Sequence, residues 1–395
     1  MTGSKSKSAA FPWRDGNRFQ LLMDGDQFYP AMLQAIAAAR SHVLLEMYLV
    51  ESGQVADRFM DALLAAADRS VKVHLLLDDY GARGLQGNDR DRLQRGNITV
   101  VFYNRLRYGE LRRNFFRDHR KLLVVDGRIA FVGGAGITDL FESAQHPQRS
   151  WRETMAAIEG PVVSDWQELF SLTWHQVTAS PLPLPPAQFD ATAGMQRGRV
   201  NYTRGLYYPE IKRTVINRIR GARGRVWMAT AYFVPSLKLR RALRQAALRG
   251  VDVRLLLPGD YTDHPAIRHA GRRFYQRLLR HGVRIFEYQP RFTHSKILLC
   301  DDWATIGSSN IDRWTLRWNL EANQEVDDEA FAEEVRAMLE RDFQDSAECL
   351  FAVWRNRPWH RRLLETFWGW VDIWLERLFH RPPRDQRRKS DRHPH

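Results

Sequence analysis

Apolar residues recur at helical spacing over Ala31–Ala39 and over Val55–Asp68, and each stretch is followed by a run that is apolar on both faces, His42–Val50 and Val71–Leu77. Short Val/Leu runs without polar alternation read as strands covered by helices on both sides. The same alternation returns later in the chain, with strands predicted at Val226–Val234 and Val251–Leu257. Each half therefore reads as helix, strand, helix, strand, helix, strand and hairpin. The fold class this implies is α/β, with two similar halves, each a mixed sheet flanked by helices.

The likeness of the halves extends to individual residues. Tyr29-Pro30 returns as Tyr208-Pro209, and Ala62-Leu63, Ala66-Ala67, Arg69 and Val71 return as Ala242-Leu243, Ala246-Ala247, Arg249 and Val251. An internal repeat of this length points to a duplicated domain. The predicted boundaries are a disordered N-terminus over 1–10, a first half over 11–178, a linker over 179–198, a second half over 199–352, an amphipathic Trp/Arg-rich helix over 353–383 and a basic disordered tail over 384–395. The linker is marked by Pro181, Pro183, Pro185 and Pro186. One insertion distinguishes the halves. The segment 104–118 carries Arg105, Arg107, Arg112, Arg113 and Arg117 with Tyr108, Phe115 and Phe116. It reads either as a solvated loop or as a basic, aromatic rim over a site that takes phosphate.

Composition narrows the partners. The chain has 395 residues and a formal net charge of +14, and its 60 basic residues comprise 8 Lys and 52 Arg. Such a balance implies a polyanionic partner, either nucleic acid or an anionic membrane surface. Two cysteines, Cys300 and Cys349, provide neither a disulfide framework nor a metal spacing, which fits a reducing compartment. Met1–Ala10 has no apolar core of a signal peptide, and no apolar run approaches bilayer-spanning length.

The chemistry lies in one short pattern that occurs twice. His119-Arg120-Lys121 with Asp126, and His294-Ser295-Lys296 with Asp301, both read H-x-K-x-x-x-x-D. Each precedes a Gly/Ser-rich turn, Gly133-Gly134 and Gly307-Ser308-Ser309-Asn310. One His can attack phosphorus while the other protonates the leaving oxygen, and two Lys can hold the phosphate oxygens. Lys at both positions of an Arg-preferring chain suggests a need for a compact ammonium. Strand alternation puts His119, Lys121 and Leu123 on one face, and likewise His294, Lys296 and Leu298. Asp126 and Asp301 fall at the Asp-containing hairpin turn, on the opposite parity. Although they complete the catalytic motif, their expected work is local hydrogen bonding.

A His that attacks phosphorus must be neutral, with its other nitrogen held by an acceptor. Glu153 follows His119 by 34 residues and Glu321 follows His294 by 27, each in a short polar patch. Their parallel placement suggests that each orients one His, that of its own half or of the other.

These motifs resemble the phospholipase D superfamily, whose signature is the duplicated H-K-D pattern. The likeness runs from about Phe11 to Pro383 and is closer still to bacterial cardiolipin synthases of the short type without N-terminal membrane helices. It is carried by Trp13–Asn17, His119–Gly134, Ile158–Pro161, His294–Asn310 and Asn319–Asn323. The resemblance implies two phospholipase D-like halves sharing one active site at their interface. It also implies a covalent phosphohistidine formed without metal or other cofactor, and phosphatidyl transfer to an alcohol. His119, Lys121, Asp126, Glu153, His294, Lys296, Asp301 and Glu321 would form the catalytic set, with Gly134, Ser308 and Asn310 binding substrate. One departure stands out: the first motif continues Gly133-Gly134-Ala135-Gly136 where the family usually has Asn at the last position, whereas the second keeps Asn310.

The expected partners are anionic phospholipids, namely phosphatidylglycerol with phosphatidylethanolamine as an alternative donor, and a membrane surface rather than nucleic acid. Trp354, Trp359, Trp368, Trp370 and Trp374, interleaved with Arg, suggest an in-plane interfacial helix. The expected location is peripheral, on the cytoplasmic face of a bacterial inner membrane. The alternative activity is that of a hydrolase or nuclease of the same superfamily.

Overall fold

The computed structural model describes residues 10–95, 97–110, 113–142, 148–190, 193–203, 210–310 and 318–357. The first half contributes strands β1 (Arg14–Met23), β2 (His42–Met47), β3 (Lys72–Asp78), β4 (Ile98–Tyr103), β5 (Lys121–Val125), β6 (Ile129–Gly133) and β7 (Thr154–Glu159). The second contributes β8 (Gln196–Tyr202), β9 (Arg225–Ala229), β10 (Asp252–Pro258), β11 (Arg284–Tyr288), β12 (Ile297–Cys300), β13 (Trp303–Gly307), β14 (Ala322–Asp327) and a short edge strand, β15 (Ser346–Glu348).

All fifteen strands join one sheet in the order β15-β11-β10-β9-β12-β13-β14-β8-β1-β7-β6-β5-β2-β3-β4. Read outward from the central β8–β1 pair, the two halves have the same order. Among the described strands, parallel pairing is confined to β2-β3-β4 and to β9-β10-β11, so each half is mixed, as the pattern predicts.

Apolar residues on the two faces feed different cores. Leu122 and Val124 of β5 face a core that runs across both halves and includes Trp166 and Phe170 of helix Val163–Thr178 and Phe331 and Val335 of helix Glu329–Gln344. Leu123 and Val125 face a core private to the first half, under helices Asp24–Ala37 and Gln54–Asp68. A third core lies under helices Glu210–Gly221 and Leu237–Leu248 of the second half. The shared core fixes the halves against each other. Trp166 also donates its indole N–H to Gln324 Oε1 of the other half at 2.9 Å.

Several predicted boundaries move. Helix Asp24–Ala37 begins seven residues before Ala31 and carries Pro30 inside it. The strand predicted over Val226–Val234 ends at Ala229, and Phe233 and Val234 are instead buried in the loop that follows. The segment assigned as linker overlaps β8, which begins at Gln196 and pairs with both β1 and β14. Its Pro-rich part is not free: Leu182 and Leu184 pack on the shared core, and Pro185 O accepts from Gln167 Nε2 at 2.9 Å.

The predicted amphipathic tail helix begins, within the described residues, as helix Phe351–Arg355. Trp354, expected at a bilayer interface, is buried, with its ring 4.9 Å from that of Tyr275 and with Arg272 and Arg357 over its faces. It is a core residue of the second half. The rest of the predicted tail from 358 onward, with its other four Trp, lies outside the described residues, as do 1–9 of the N-terminus.

Candidate active site

Both motif histidines sit just before a strand, not within it as alternation suggests. β5 begins at Lys121 and β12 at Ile297. The preceding residues are extended and pair with the opposite half. Asp118 forms a parallel bridge to Leu320, and Arg152 forms one to Thr293. The His119 N–H donates to Leu320 O at 3.0 Å, and the His294 N–H donates to Arg152 O at 2.7 Å. Each His segment is thus pinned by backbone to the segment that carries the other half's Glu.

The carboxylates complete this exchange. His119 Nδ1 lies 3.0 Å from Glu321 Oε1, and His294 Nδ1 lies 2.6 Å from Glu153 Oε2. Of the two arrangements open in the sequence, the crossed one is present. A carboxylate on Nδ1 holds the proton there and leaves Nε2 as the unprotonated nitrogen of each ring. Both carboxylates are fully buried.

The motif lysines differ in their partners. Lys121 Nζ donates to His119 O at 2.7 Å and lies over the Tyr48 ring. Lys296 Nζ lies 2.9 Å from His294 Nδ1, 3.2 Å from its Nε2 and 3.5 Å from Glu153 Oε2. Burial pushes the Lys121 amine down to about 7, with Glu321 opposing the shift and Lys296 adding to it. Burial also lowers Lys296, against the pull of Glu153 and Glu321. Both imidazoles are held below their ordinary range by burial. His294 is lowered further, with the charges of Lys296 and Lys121 next in effect. For His119 the carboxylate of Glu321 opposes the shift. The two imidazoles and the two lysine amines are thus close enough to act on one another electrostatically across the halves.

Gly134 and Ser308, expected to contact substrate, each adjoin one of the two carboxylates. They occupy equivalent positions after β6 and β13. Ser308 Oγ donates to Glu321 Oε2 and accepts from Ala322 N at 3.1 Å. At Gly134 a β-carbon would collide with Glu153 Oε2, so the missing side chain is the space in which Glu153 sits. Asn310 is buried, and its Oδ1 has no partner among the described residues. The first half cannot match it, because a β-carbon at Gly136 would come within 2.6 Å of Leu49 O.

Asp126 and Asp301 stand at the far ends of β5 and β12, away from the lysines. Asp126 accepts from the backbone N–H groups of Arg40, Ser41 and His42 at 2.8–2.9 Å. Asp301 accepts from those of Arg223, Gly224 and Arg225 at 2.9 Å. Each clamps the entry to the neighbouring strand, β2 or β9, and both sit in the left-handed region with φ of 55° and 51°. This is the local hydrogen bonding expected of them: they hold the hairpins. Arg117, by contrast, is corrected. It is buried beside Asp78 rather than displayed on a basic rim.

The pattern gave no warning of the aromatic walls. Tyr48 lies 4.7 Å from the His119 ring. Trp151, Phe141 and Phe292 surround His294 at 5.0–5.8 Å. Tyr232 is a little farther and hydrogen-bonds to Asp263. Only Trp151 and Phe292 carried a signal, through adjacency to Glu153 and His294. Among the described residues, no group of three His, Cys, Asp or Glu is arranged to hold a metal ion.

Two His–carboxylate couples and two lysines at the seam of a duplicated α/β fold define a phosphodiester-transferring enzyme of the phospholipase D type. A family model described as "Cardiolipin synthase, PLD-like domain" matches residues 32–174 and 215–343, and the chain belongs to this family. Cardiolipin synthase A of Pseudomonas aeruginosa is 37% identical over 85% of this chain and 69% of its own length. Cardiolipin synthase B of Escherichia coli K12 is 36% identical over 83% of this chain and 80% of its own. Among solved structures, phosphatidylserine synthase of Haemophilus influenzae has a TM-score of 0.66 at 12% identity, covering 91% of this chain and 94% of that one. Polyphosphate kinase of Porphyromonas gingivalis shares the fold at a TM-score of 0.58 and 18% identity, covering 85% of this chain and 49% of that one.

Proposed function

We propose that this protein is a phosphatidyltransferase that makes cardiolipin. The observation that carries the reading is the crossed pair of His–Glu couples, which leaves Nε2 of each imidazole unprotonated, that of His294 with Lys296 Nζ at 3.2 Å. In the first step His119 Nε2 attacks phosphorus of a phosphatidyl donor. The P–O bond to the head-group alcohol breaks, and His294 supplies the proton to that oxygen. The product is a phosphatidyl group bonded to His119 and a free alcohol, glycerol when the donor is phosphatidylglycerol. In the second step His294, now neutral, removes the proton from a hydroxyl of a second phosphatidylglycerol. That oxygen attacks phosphorus and the P–N bond breaks, regenerating His119.

Lys121 and Lys296 hold the non-bridging oxygens, and Asn310 is the candidate third donor. The ligand-free imidazoles are both neutral, whereas the first step needs one protonated. An anionic phosphodiester between the lysines raises the pKa of the nearby His, so substrate itself favours the proton on His294. Glu153 and Glu321 fix the tautomers. Phosphatidylethanolamine is an alternative donor, with ethanolamine leaving.

No helix among the described residues is long and apolar enough to cross a membrane. The proposed working place is the cytoplasmic surface of a bacterial inner membrane, with lipid drawn into the seam. The deciding experiment incubates pure protein with phosphatidylglycerol vesicles and follows lipids by mass spectrometry. Cardiolipin and glycerol should appear in equal amounts. Phosphatidic acid without cardiolipin would instead identify a hydrolase.

A further inference from the structure

Behind each His–Glu couple stands a third residue that neither motif contains. Asp24 directly follows β1, and Thr203 directly follows β8. The Asp24 N–H donates to Glu153 O at 2.9 Å, and Asp24 Oδ1 accepts from the Glu153 N–H at 3.1 Å. The Thr203 N–H donates to Glu321 O at 2.9 Å, and Thr203 Oγ1 accepts from the Glu321 N–H at 2.9 Å. The same reciprocal pair of hydrogen bonds is thus built twice, from an Asp in one half and a Thr in the other. It fixes the backbone of each Glu, and so the place from which its carboxylate reaches an imidazole.

Each clamp is in turn held from across the seam. The guanidinium of Arg291, three residues before His294, donates to Asp24 Oδ2, and its Nη1 donates to Ser150 Oγ at 2.7 Å. The guanidinium of Arg120, the residue after His119, donates through Nη2 to Thr203 O at 3.1 Å. Its Nη1 donates to Thr173 Oγ1 at 2.8 Å. Arg152 reinforces the first clamp: its Nη1 donates to Glu153 O at 2.9 Å, and its Nε lies 3.2 Å from Asp342 Oδ1 of the other half.

The contacts close a circuit around each histidine. From His294 it passes to Glu153, to Asp24 and to Arg291, and returns along the chain. From His119 it passes to Glu321, to Thr203 and to Arg120, the next residue. Each circuit crosses the seam twice. Thr203 and Arg120 are buried, and the side chains of Asp24 and Arg291 are only 19% and 13% exposed. Hydrogen bonds shielded from water in this way are strong, and losing one leaves a buried group unpaired.

We propose, on the phosphatidyl-transfer reading of the seam, that Asp24, Thr203, Arg120 and Arg291 are positioning residues. They set the carboxylates of Glu153 and Glu321 on the imidazoles, and the setting depends on the halves being docked. They act through the two Glu side chains rather than on substrate.

The test is Thr203→Val, which keeps shape and charge but removes the acceptor, beside Thr203→Ser, which keeps it. Turnover of a short-chain, water-soluble phosphatidylglycerol by the full chain is measured for both, and for Thr203→Val on a Glu321→Gln background. Thr203→Val should lower kcat about tenfold or more with KM within about twofold, a usual effect of removing the partner that orients a functional group. Thr203→Ser should recover most of the loss. With the Glu321 carboxylate already gone, Thr203→Val should cost less than about twofold more. Asp24→Asn suits the left-handed backbone at φ 60° and turns an amide nitrogen toward Arg291. It should lower kcat about as far, and add little to Glu153→Gln.

NMR of selectively nitrogen-labelled histidine reads the imidazoles without turnover. Both Nδ1–H tautomers should be present in the wild type. Thr203→Val should disturb that of His119 alone, and Asp24→Asn that of His294 alone. Either couple decides, so a variant that fails to fold leaves the other to carry the test. A kcat within about twofold of wild type, an equal loss with and without the Glu carboxylate, or unchanged imidazole signals would each overturn the proposal. A wild type that turns over no soluble substrate would count against the enzymatic reading, and the imidazole signals would then decide the positioning by themselves.

Discussion

Glu153 of the first half hydrogen-bonds His294 of the second, with Oε2 2.6 Å from Nδ1. Neither half holds a complete His–carboxylate couple of its own. The seam is therefore the active site rather than a boundary beside it.

Replacing Glu153 by Gln should keep a hydrogen-bond acceptor while removing the charge that fixes the imidazole. We expect kcat to fall on the order of a hundredfold or more, with little change in melting temperature. Glu321→Gln should act on His119 in the same way. Steady-state kinetics on a soluble short-chain substrate, beside thermal melts, separates a chemical loss from an unfolding loss.

Gly134→Ala is a sharper probe of the same couple. Its β-carbon would occupy the position of Glu153 Oε2, which must move off His294. Activity should drop nearly as far as in Glu153→Gln. Ser308→Ala removes one donor to Glu321 without intruding, and a milder loss is expected. Equal, small effects of both changes would argue that the carboxylates do not hold the imidazoles.

Lys121 sets a pH dependence. With its amine at about 7 in the ligand-free protein, it is charged below that pH and neutral above it. A bound phosphodiester anion favours the charged form, so binding above pH 7 takes up a proton. KM should rise by up to about tenfold per pH unit on the alkaline side. Lys121→Arg stays charged throughout and should lose that limb, at reduced kcat. A KM constant from pH 6 to 9 in the wild type would contradict this account of Lys121.

Asp301→Ala removes the acceptor of three backbone N–H groups at the entry to β9. A loss of about 2 kcal/mol in stability is expected, with kcat of the folded fraction retained. Those hydrogen bonds hold the carboxyl below its usual range. A depressed folded pKa contributes stability that is present above the unfolded value and is lost as pH falls through the folded one. The wild type should therefore lose stability below about pH 4 more steeply than Asp301→Ala. Denaturant titrations at pH 3 and pH 7 measure the difference.

Trp354→Ala opens a cavity beside Tyr275 and should cost about 3–5 kcal/mol. Binding of the folded variant to vesicles should be unchanged. The prediction separates Trp354 from the tryptophans that follow it, which the sequence grouped together.

Much of the frame was legible in the chain, and for identifiable reasons. The end of the run Val71–Leu77, residues Leu75–Leu77, is apolar on both faces because cores lie on both sides of β3, and the duplication is visible in Ala62-Leu63 and Ala242-Leu243. Periodicity cannot say where a strand ends when the next apolar residues are buried by other means, as Phe233 is beside Gly271. It read His119 as part of a strand, whereas a bridge to Leu320 from the other half keeps that residue extended. The four motif His and Lys could be named as candidates because their spacing repeats. The contacts of Gly134 with Glu153 and of Ser308 with Glu321 could not be read, since those carboxylates are distant in sequence. The aromatic walls around His294 come from three separate segments, and only Trp151 and Phe292, near Glu153 and His294 in sequence, leave a local trace. Trp354 looked like its tail neighbours in composition alone.

The order of the two histidines and the covalent step are tested together by one measurement. Full-length wild type and His294→Ala are mixed with short-chain phosphatidylglycerol, quenched under alkaline conditions within the first turnover and analysed by intact-protein and peptide mass spectrometry. The account predicts one phosphatidyl adduct on His119, accumulating in His294→Ala because the second step lacks its base, and none in His119→Ala. An adduct on His294 in His119→Ala would reverse the roles. Turnover without any adduct, or retained in either His→Ala variant, would contradict a shared site built from two crossed His–Glu couples.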